Sequence, residues 1–371
     1  MRIMFVGGGS GGHFYPLIAV AEALRARTDH TAQLYYIGPE PYSQSELDRL
    51  HIHFVACPAG KQRRYFSLQN FIDPFKVMAG LLVAVIKLYV IYPDVIFSKG
   101  SFTSVPVLLA ARFLRIPVVI HESDAIAGRA NLLSKSFARA IAISYPEAAR
   151  YFDTSKTALI GIPLRQALRT PPSDPFAFLG LPNDLPLLLI TGGSLGAEYI
   201  NNITLRALPT LLQQYRVFHL CGAPHFEDIR ITVKALITDQ TLLARYYLQP
   251  QVPGEAMAAL LAATSLAVSR SGSSSIHELA YYGKPAVLIP IPETVSRDQR
   301  TNAYAYARTG AASVLEQENL TDHLLTSEIN AIMGDQARYE RMAQAAKAFA
   351  MPDAAAKVAD LVTAIGVEHD S

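Results

Sequence analysis

Ile3-Met4-Phe5-Val6-Gly7-Gly8-Gly9-Ser10-Gly11-Gly12-His13 opens the chain with an apolar strand pattern that runs directly into a glycine-rich turn. A second turn of the same kind, Gly192-Gly193-Ser194-Leu195-Gly196-Ala197, follows the apolar run Leu187–Ile190. Glycine allows a sharp backbone turn and lets an oxyanion approach the main chain closely. A helix that starts just behind such a turn adds free N–H groups and the positive end of its dipole. The two turns together predict paired nucleotide-binding-type domains facing a cleft that holds two phosphorylated compounds.

The length and the alternation of elements predict an α/β protein of two domains. At 371 residues the chain exceeds what one hydrophobic core usually supports. Short apolar runs alternate with longer helical patterns, which implies βαβ units and mostly parallel sheets in two Rossmann-like domains. The predicted strands are Ile3–Val6, Gln33–Ile37, Val95–Phe97, Val118–His121, Ala140–Ser144, Leu187–Thr191, Val217–Cys221, Arg245–Leu248, Leu266–Ser269 and Ala286–Pro290.

A break in the pattern predicts the domain boundary. Gly161-Ile162-Pro163 is followed by the polar stretch 169–175, which is typical of an interdomain linker. The first domain is therefore predicted to span 1–163 and the second to begin at 164. The first domain carries 17 Lys and Arg against 11 Asp and Glu, an excess that favours an anionic partner such as a phospholipid surface or a pyrophosphate. No motif for nucleic-acid binding accompanies that excess.

The cysteines and the N-terminus indicate a cytosolic protein. Cys57 and Cys221 lie in separate halves without metal-ligand spacing, and we expect them to be reduced thiols. The chain enters a strand at once, with no signal-peptide pattern, so we do not expect secretion.

One segment is a candidate for contact with a membrane. Val77–Ile91 is apolar except for Lys87, but it is shorter than the ~20 residues that a spanning helix needs. Two interpretations stay open: a helix buried in the core, and a helix lying on a bilayer surface. The second would be helped by basic residues nearby in the sequence, namely Lys61, Arg63, Arg64, Lys76 and Lys87.

Two groups in the first half could form part of a functional site. His13 closes the first glycine turn, where a helix N-terminus disfavours the protonated imidazole, so it is a candidate base. His121-Glu122-Ser123-Asp124 follows an apolar strand at its carboxyl end, where ligands of α/β proteins bind. The alternative for this second group is a cap at the end of the strand.

The second half contains a third turn between a strand and a helix. Ser269–Ser275 is rich in N–H and hydroxyl groups, and Glu278 falls about one turn into the helix that follows. A carboxylate there can accept both ribose hydroxyls of a nucleotide, although an acidic residue near a helix start can also serve only the helix dipole. Arg165, just after the linker, could clamp a phosphate or could be an ordinary surface arginine. The chain has no Asp-x-Asp pair and no cluster with metal-ligand spacing, so we expect no metal.

These motifs, in this order, resemble those of the MurG family, glycosyltransferase family 28. That family adds N-acetylglucosamine to undecaprenyl-pyrophosphoryl-N-acetylmuramoyl-pentapeptide in peptidoglycan synthesis, part of cell wall biogenesis. The resemblance covers nearly the whole chain, and the combination is far more specific than one glycine turn. The motifs are Gly-Gly-x-Ser-Gly-Gly-His at 7–13, His-Glu at 121–122, Gly-x-Pro-x-Arg at 161–165, Gly-Gly-Ser-x-Gly-Ala at 192–197, Arg-Ser-Gly at 270–272 with Glu278, and Asp-Gln with Asn-Ala at 298–303.

The resemblance implies a GT-B fold, in which the C-terminal helix at 346–371 completes the acceptor and membrane-binding domain of residues 1–163. Residues 164–345 would form the domain that binds the nucleotide sugar. The activity would be a metal-independent, inverting transfer from UDP-N-acetylglucosamine, with no cofactor and no nucleic acid as partner. The acceptor is lipid-linked, so the protein would lie peripherally on the cytoplasmic side of the cell membrane or inner membrane.

Site residues follow from the same resemblance. Ser10, Gly11 and Gly12 would lie beside the transferred sugar and the acceptor pyrophosphate, with His13 near the reacting hydroxyl. Asp124 would lie near the sugar and is the alternative base. The residues expected to bind the sugar nucleotide are Arg165, Ser194, Ser273, Ser274 and Ser275 at the phosphates, Glu278 at the ribose, and Gln299 at the hydroxyls of N-acetylglucosamine.

Three positions depart from the family pattern. Asp124, Leu195 and Ile162 stand where the family usually has Asn, Gln and Asn. The departures keep a second interpretation open, a GT-B transferase with a different lipid or sugar acceptor. A third interpretation is a non-catalytic nucleotide-sugar-binding protein, and the site residues retained from the family argue against it.

Overall fold

The structure is a computed structural model that describes residues 1–27, 31–59, 69–193, 196–295 and 297–370. They form two compact units, one of Met1–Gln166 with Met351–Ser371 and one of Ala167–Ala350. Each unit is built on one parallel sheet, so the predicted α/β class with two parallel-sheet domains is confirmed. The linker pattern predicts a boundary after residue 163, and the family resemblance implies that the C-terminal helix at 346–371 completes the first domain.

The strands and helices alternate along most of the chain. The strands are β1 Arg2–Val6, β2 Gln33–Gly38, β3 Ile52–Ala56, β4 Val95–Ser98, β5 Val118–Glu122, β6 Ala140–Ile143, β7 Thr157–Leu159, β8 Leu187–Thr191, β9 Arg216–Leu220, β10 Tyr246–Gln249, β11 Leu266–Ser269, β12 Ala286–Leu288 and β13 Ala312–Val314.

The helices are α1 Gly11–Arg27, α2 Gln44–Arg49, α3 Gln69–Ile91, α4 Val105–Phe113, α5 Arg129–Ser134, α6 Gln166–Arg169, α7 Pro175–Leu179, α8 Glu198–Leu211, α9 Phe226–Leu236, α10 Gln240–Leu243, α11 Gly254–Ala263, α12 Ser273–Tyr281, α13 Arg297–Ala307, α14 Asp322–Met333, α15 Gln336–Phe349 and α16 Ala354–Asp370. Short 3-10 helices occupy Phe102–Ser104, Pro146–Tyr151, Thr154–Lys156, Ala223–His225 and Gln317–Asn319.

The first unit has a seven-stranded sheet in the order β3-β2-β1-β4-β5-β6-β7, with parallel pairing throughout the described strands. Alternate side chains of a strand point to opposite faces, so Ile3 and Phe5 pack under α1, α2 and α16 while Met4 and Val6 pack under α3 and α4. Both faces are buried, which explains why β1 is continuously apolar. The strand order reverses between β1 and β4, and the first glycine turn lies at this switch point.

The second unit repeats the plan with six strands in the order β10-β9-β8-β11-β12-β13. Its switch point lies between β8 and β11, and the second glycine turn follows β8 there. Leu188 and Ile190 pack on one face with α8 and α14, and Leu187 and Leu189 on the other with α11 and α12. Both glycine turns therefore occupy the position at which doubly wound sheets bind ligands.

Helix α3 contains the apolar segment Val77–Ile91 and is longer than that segment. Its residues Gly80, Ala84 and Leu88 are buried, and the helix packs on α4. The opposite face is apolar and 61 to 73 % exposed, and it consists of Met78, Leu82, Ile86, Tyr89 and Val90. We call this set the α3 face. Nowhere in the described part of the chain is a helix both long and apolar enough to cross a membrane.

Candidate functional site

The first glycine turn is fixed by side chains on β2 and in the segment that follows β4. The hydroxyl of Tyr36 donates to the carbonyl oxygen of Gly7 at 2.8 Å, and Ser101 Oγ donates to that of Gly8 at 2.9 Å. A Cβ atom on Gly8 would lie 2.8 Å from the hydroxyl oxygen of Tyr36, and Gly9 has a φ of +88°. The turn therefore needs glycine both for space and for conformation, and it leads directly into α1.

His13 lies in the first turn of α1, half-buried at the glycine turn. Its Nδ1 is 2.8 Å from Ser10 Oγ, and its backbone N–H donates to the carbonyl oxygen of Ser10. Burial lowers the pKa of His13 to about 4, and the cation of Lys99 adds to that shift. The imidazole is thus neutral near pH 7, the form in which it can accept a proton.

The group that follows β5 is organised around Glu122. This buried carboxylate accepts hydrogen bonds from Asn131 Nδ2 at 2.8 Å, the Gly128 N–H at 2.8 Å and the Asp124 N–H at 3.1 Å. Burial raises the pKa of Glu122, and these hydrogen bonds oppose the increase. Glu122 therefore holds the loop that carries the half-buried Asp124. This role is close to that of a cap at the end of the strand, the alternative that the sequence left open.

His121 is wholly buried and does not face solvent. Its Nε2 is 2.8 Å from the carbonyl oxygen of Gly161, which can only accept, so Nε2 carries the proton. The unprotonated Nδ1 lies 2.8 Å from Lys99 Nζ. Sequence reasoning missed Lys99, although Lys99-Gly100-Ser101 lies just one residue beyond the predicted strand Val95–Phe97, which was the available signal.

The second glycine turn is described only in part, because Ser194 and Leu195 lie outside the described residues. Gly196 has a φ of +75°, and a Cβ atom there would lie 2.0 Å from the carbonyl oxygen of Cys221. The turn thus passes directly against the end of β9, at a distance that only glycine permits.

The third turn and Gln299 come together in the second unit. Ser271 Oγ donates to the backbone oxygen of Gln299 at 2.8 Å. Helix α12 begins at Ser273, with that serine buried and Ser274, Ser275 and Glu278 half-buried. The side-chain oxygen of Gln299 is buried and accepts no hydrogen bond from the residues that the structure describes. A buried acceptor without a partner is unfavourable by roughly 1–3 kcal/mol, which a ligand hydroxyl could relieve.

Arg270 holds this region in place. Its guanidinium is buried and donates to the carbonyl oxygens of Ile289 and Pro290 at 3.0 and 3.1 Å, and to Gln317 Oε1 at 2.8 Å. These contacts fix the segment after β12 against the third turn.

Arg165 belongs to the first unit rather than to the unit that contains Glu278. Its guanidinium carbon lies 3.7 Å from the ring centre of Tyr15, and Nη1 is 3.4 Å from Glu46 Oε1. Its Nε is buried and has no acceptor among the described residues. These contacts place Arg165 beside α1 and α2. Among the described residues, no group of three or more His, Cys, Asp or Glu side chains is arranged to hold a metal ion.

Comparison with known families matches both units. The glycosyltransferase family 28 N-terminal domain model matches residues 3–143, and the C-terminal domain model of that family matches 187–358. The chain is also similar to three proteins named UDP-N-acetylglucosamine–N-acetylmuramyl-(pentapeptide) pyrophosphoryl-undecaprenol N-acetylglucosamine transferase.

These relatives cover most of the chain. One from Bacillus anthracis, numbered 2 in its name, is 36% identical over 91% of this chain and 93% of its own length. One from Clostridium kluyveri is 34% identical over 97% and 98%, and one from Legionella pneumophila strain Paris is 37% identical over 89% and 88%.

Solved structures agree with this result. The crystal structure of MurG from Acinetobacter baumannii superposes with a TM-score of 0.73 at 27% identity, covering 98% of this chain and 99% of that one. A UDP-GlcNAc 2-epimerase from Neisseria meningitidis has a TM-score of 0.69 at 14% identity, covering 98% and 100% of the two chains. The second likeness shows a shared fold alone.

Proposed function

This chain belongs to glycosyltransferase family 28, and from that membership we infer that it transfers N-acetylglucosamine from UDP-N-acetylglucosamine to undecaprenyl-pyrophosphoryl-N-acetylmuramoyl-pentapeptide. The observation that carries the inference is 34–37% identity to proteins of that name over 89–97% of the chain. The product is the lipid-linked disaccharide used in peptidoglycan synthesis. The third turn and Gln299 beside it support the inference, because they provide hydrogen-bonding groups for the sugar nucleotide in the second unit.

The reaction proceeds by one displacement that inverts the anomeric carbon. The acceptor hydroxyl oxygen forms a bond to C1 of N-acetylglucosamine while the bond from C1 to the UDP oxygen breaks. UDP leaves with the electron pair, and the hydroxyl proton passes to Nε2 of His13. Nε2 can accept it only if Nδ1 carries the ring proton, and in that tautomer the Nδ1–H group donates a hydrogen bond to Ser10 Oγ. Asp124 is the alternative base.

The sugar nucleotide is assigned mainly to the second unit. Glu278 accepts hydrogen bonds from the ribose hydroxyls, and Ser273–Ser275 at the start of α12 donate to phosphate oxygens. Gln299, whose buried side-chain oxygen has no partner among the described residues, accepts from a sugar hydroxyl. Ser194, which lies outside the described residues, and Arg165 are assigned to the phosphates as well. Arg165 would have to exchange Glu46 for a phosphate oxygen.

An assay with the purified protein tests the function. We expect N-acetylglucosamine to pass from UDP-N-acetylglucosamine to a lipid I analogue with a β linkage, and the rate to be unchanged by EDTA. UDP-glucose serves as the matched control donor and should react far more slowly. Hydrolysis of the donor without transfer, or transfer only to a different acceptor, would favour the alternative enzyme.

We propose further that the first unit binds the cytoplasmic face of the membrane, since its acceptor is anchored in lipid. The α3 face offers an apolar surface, and α4, which packs on α3, ends at Phe113, 75% exposed. Three exposed basic side chains accompany these residues, namely Lys87, Arg112 and Arg115. Each basic residue can add about 1 kcal/mol against anionic lipid. Lys61, Arg63 and Arg64 lie outside the described residues, and nothing is described of the Lys76 side chain.

Leu82→Glu should weaken binding to phosphatidylglycerol vesicles by about tenfold or more, because an apolar side chain is lost and a negative charge is added. The measurement is sedimentation with vesicles across a salt series. Leu236→Glu is the matched control, since that leucine is 44% exposed on α9 of the second unit. Vesicle binding that is insensitive to salt and equal for both variants would show that the α3 face does not contact the membrane.

A further inference from the structure

The segment that follows β4 has an unusual backbone conformation. Gly100 and Ser101 have φ angles of +80° and +81°, and the ψ angle of Ser101 is 158°. This combination is almost confined to glycine, because a Cβ atom is crowded there. A residue with a side chain keeps such a conformation only where its surroundings hold it in place. The contacts of Ser101 therefore show what holds this segment.

The hydroxyl of Ser101 has a complete set of partners. It donates to the carbonyl oxygen of Gly8 at 2.9 Å, since a carbonyl oxygen can only accept. Because its one proton is used there, Oγ accepts from the hydroxyl of Thr103 at 3.1 Å and from the N–H of Thr103 at 3.3 Å. A single side chain thus joins the segment after β4 to the first glycine turn, 93 positions away in the sequence.

The hydrogen bond from Ser101 also determines the direction of a backbone N–H group. The carbonyl of Gly8 and the N–H of Gly9 belong to one planar trans peptide unit, in which they point in opposite directions. Gly9 is exposed, and its N–H has no acceptor among the residues that the structure describes. The ring of Phe102, next to Ser101, lies 3.4 Å from the position that a Cβ on Gly9 would take. The same segment therefore supports the turn on both sides of this peptide unit.

We propose that Ser101 is a positioning residue for the transfer of the sugar. By holding the carbonyl of Gly8, its hydroxyl keeps the N–H of Gly9 oriented to donate to a phosphate oxygen of the lipid-linked acceptor. Ser101 acts through the turn and does not touch the substrate. The inference rests on the proposed function and on the expectation that the first glycine turn lies beside the acceptor pyrophosphate.

Two substitutions on the full chain separate positioning from stability. Ser101→Gly and Ser101→Ala both remove the hydroxyl, but only glycine relieves the positive φ angle, so Ser101→Gly should have the higher Tm of the two. Ser134→Ala is the matched control. The buried hydroxyl of Ser134 donates to the carbonyl oxygen of Ala130 at 2.9 Å, so this variant loses a hydrogen bond of the same kind in the same unit.

Steady-state kinetics with UDP-N-acetylglucosamine and a lipid I analogue measure the effect. Both Ser101 variants should raise the KM for the lipid acceptor by about 3–10-fold, the size expected for one neutral hydrogen bond. Their kcat and their KM for the sugar nucleotide should stay within about twofold of the original values. Ser134→Ala should lower Tm and leave the acceptor KM unchanged. A purely structural role would instead make the acceptor KM follow Tm.

An acceptor KM that is unchanged in Ser101→Gly overturns the proposal, and so does one that rises only in the less stable Ser101→Ala. If the unaltered protein transfers no sugar to the lipid I analogue, the proposed function fails, and this inference fails with it. The two failures are distinguishable because the second is seen in the unaltered protein.

Discussion

Replacing His13 by alanine is expected to lower kcat by about 10²–10⁴-fold, the usual contribution of a positioned general base. The imidazole is neutral at the glycine turn, with Ser10 at Nδ1 to fix its orientation. The KM values of both substrates should change little, because the loss is confined to the transition state. Steady-state kinetics at pH 7.5 measure the effect.

The pH dependence gives a second check on the same residue. Because the pKa of His13 is lowered to about 4, activity should persist as pH falls and decline only as pH approaches that value. His53→Ala, at an exposed position on β3 of the same unit, should leave kcat unchanged. Near-normal kcat in His13→Ala together with a large loss in Asp124→Ala would show that the carboxylate is the base.

Replacing Glu278 by alanine is expected to raise the KM for UDP-N-acetylglucosamine by roughly 10–150-fold, equivalent to about 1.5–3 kcal/mol for a lost hydrogen bond to a charged group. Glu278 is the sixth residue of α12, whose first residue is Ser273. The helix dipole acts mainly within the first turn, so the dipole alternative explains this carboxylate poorly. The KM for the lipid acceptor should stay constant.

Glu255→Ala provides the comparison for Glu278, since Glu255 is an exposed glutamate in the first turn of α11. Its loss should lower only the stability of the helix, by roughly 0.3–1 kcal/mol. Equal KM values for the sugar nucleotide in both variants would show that Glu278 does not bind it.

Activity that EDTA abolishes and Mg²⁺ restores would contradict the proposal that the transfer is independent of metal ions.

The strands that sequence reasoning missed were all at sheet edges. β3 and β7 form the two edges of the first sheet, and β13 forms one edge of the second. β7 and β13 have only three residues each, and none of the three strands is buried along its whole length. Edge strands lack the continuous apolar run that identifies a strand buried on both faces. Nine of the ten predicted strands are interior strands whose apolar run is local, and only the tenth, β10, is an edge strand.

The sequence by itself determined the two parallel-sheet domains, the glycine turns and the family, because strand alternation and turn chemistry are encoded in adjacent residues. Only the tertiary structure decided which side chains meet. Lys99 reaches His121 across 22 positions, and His121 reaches Gly161 across 40. Likewise, Ser271 brings Gln299 to the third turn across 28 positions. Such contacts form where the carboxyl ends of parallel strands converge at one edge of a sheet, and no local pattern specifies which residues will lie opposite one another there.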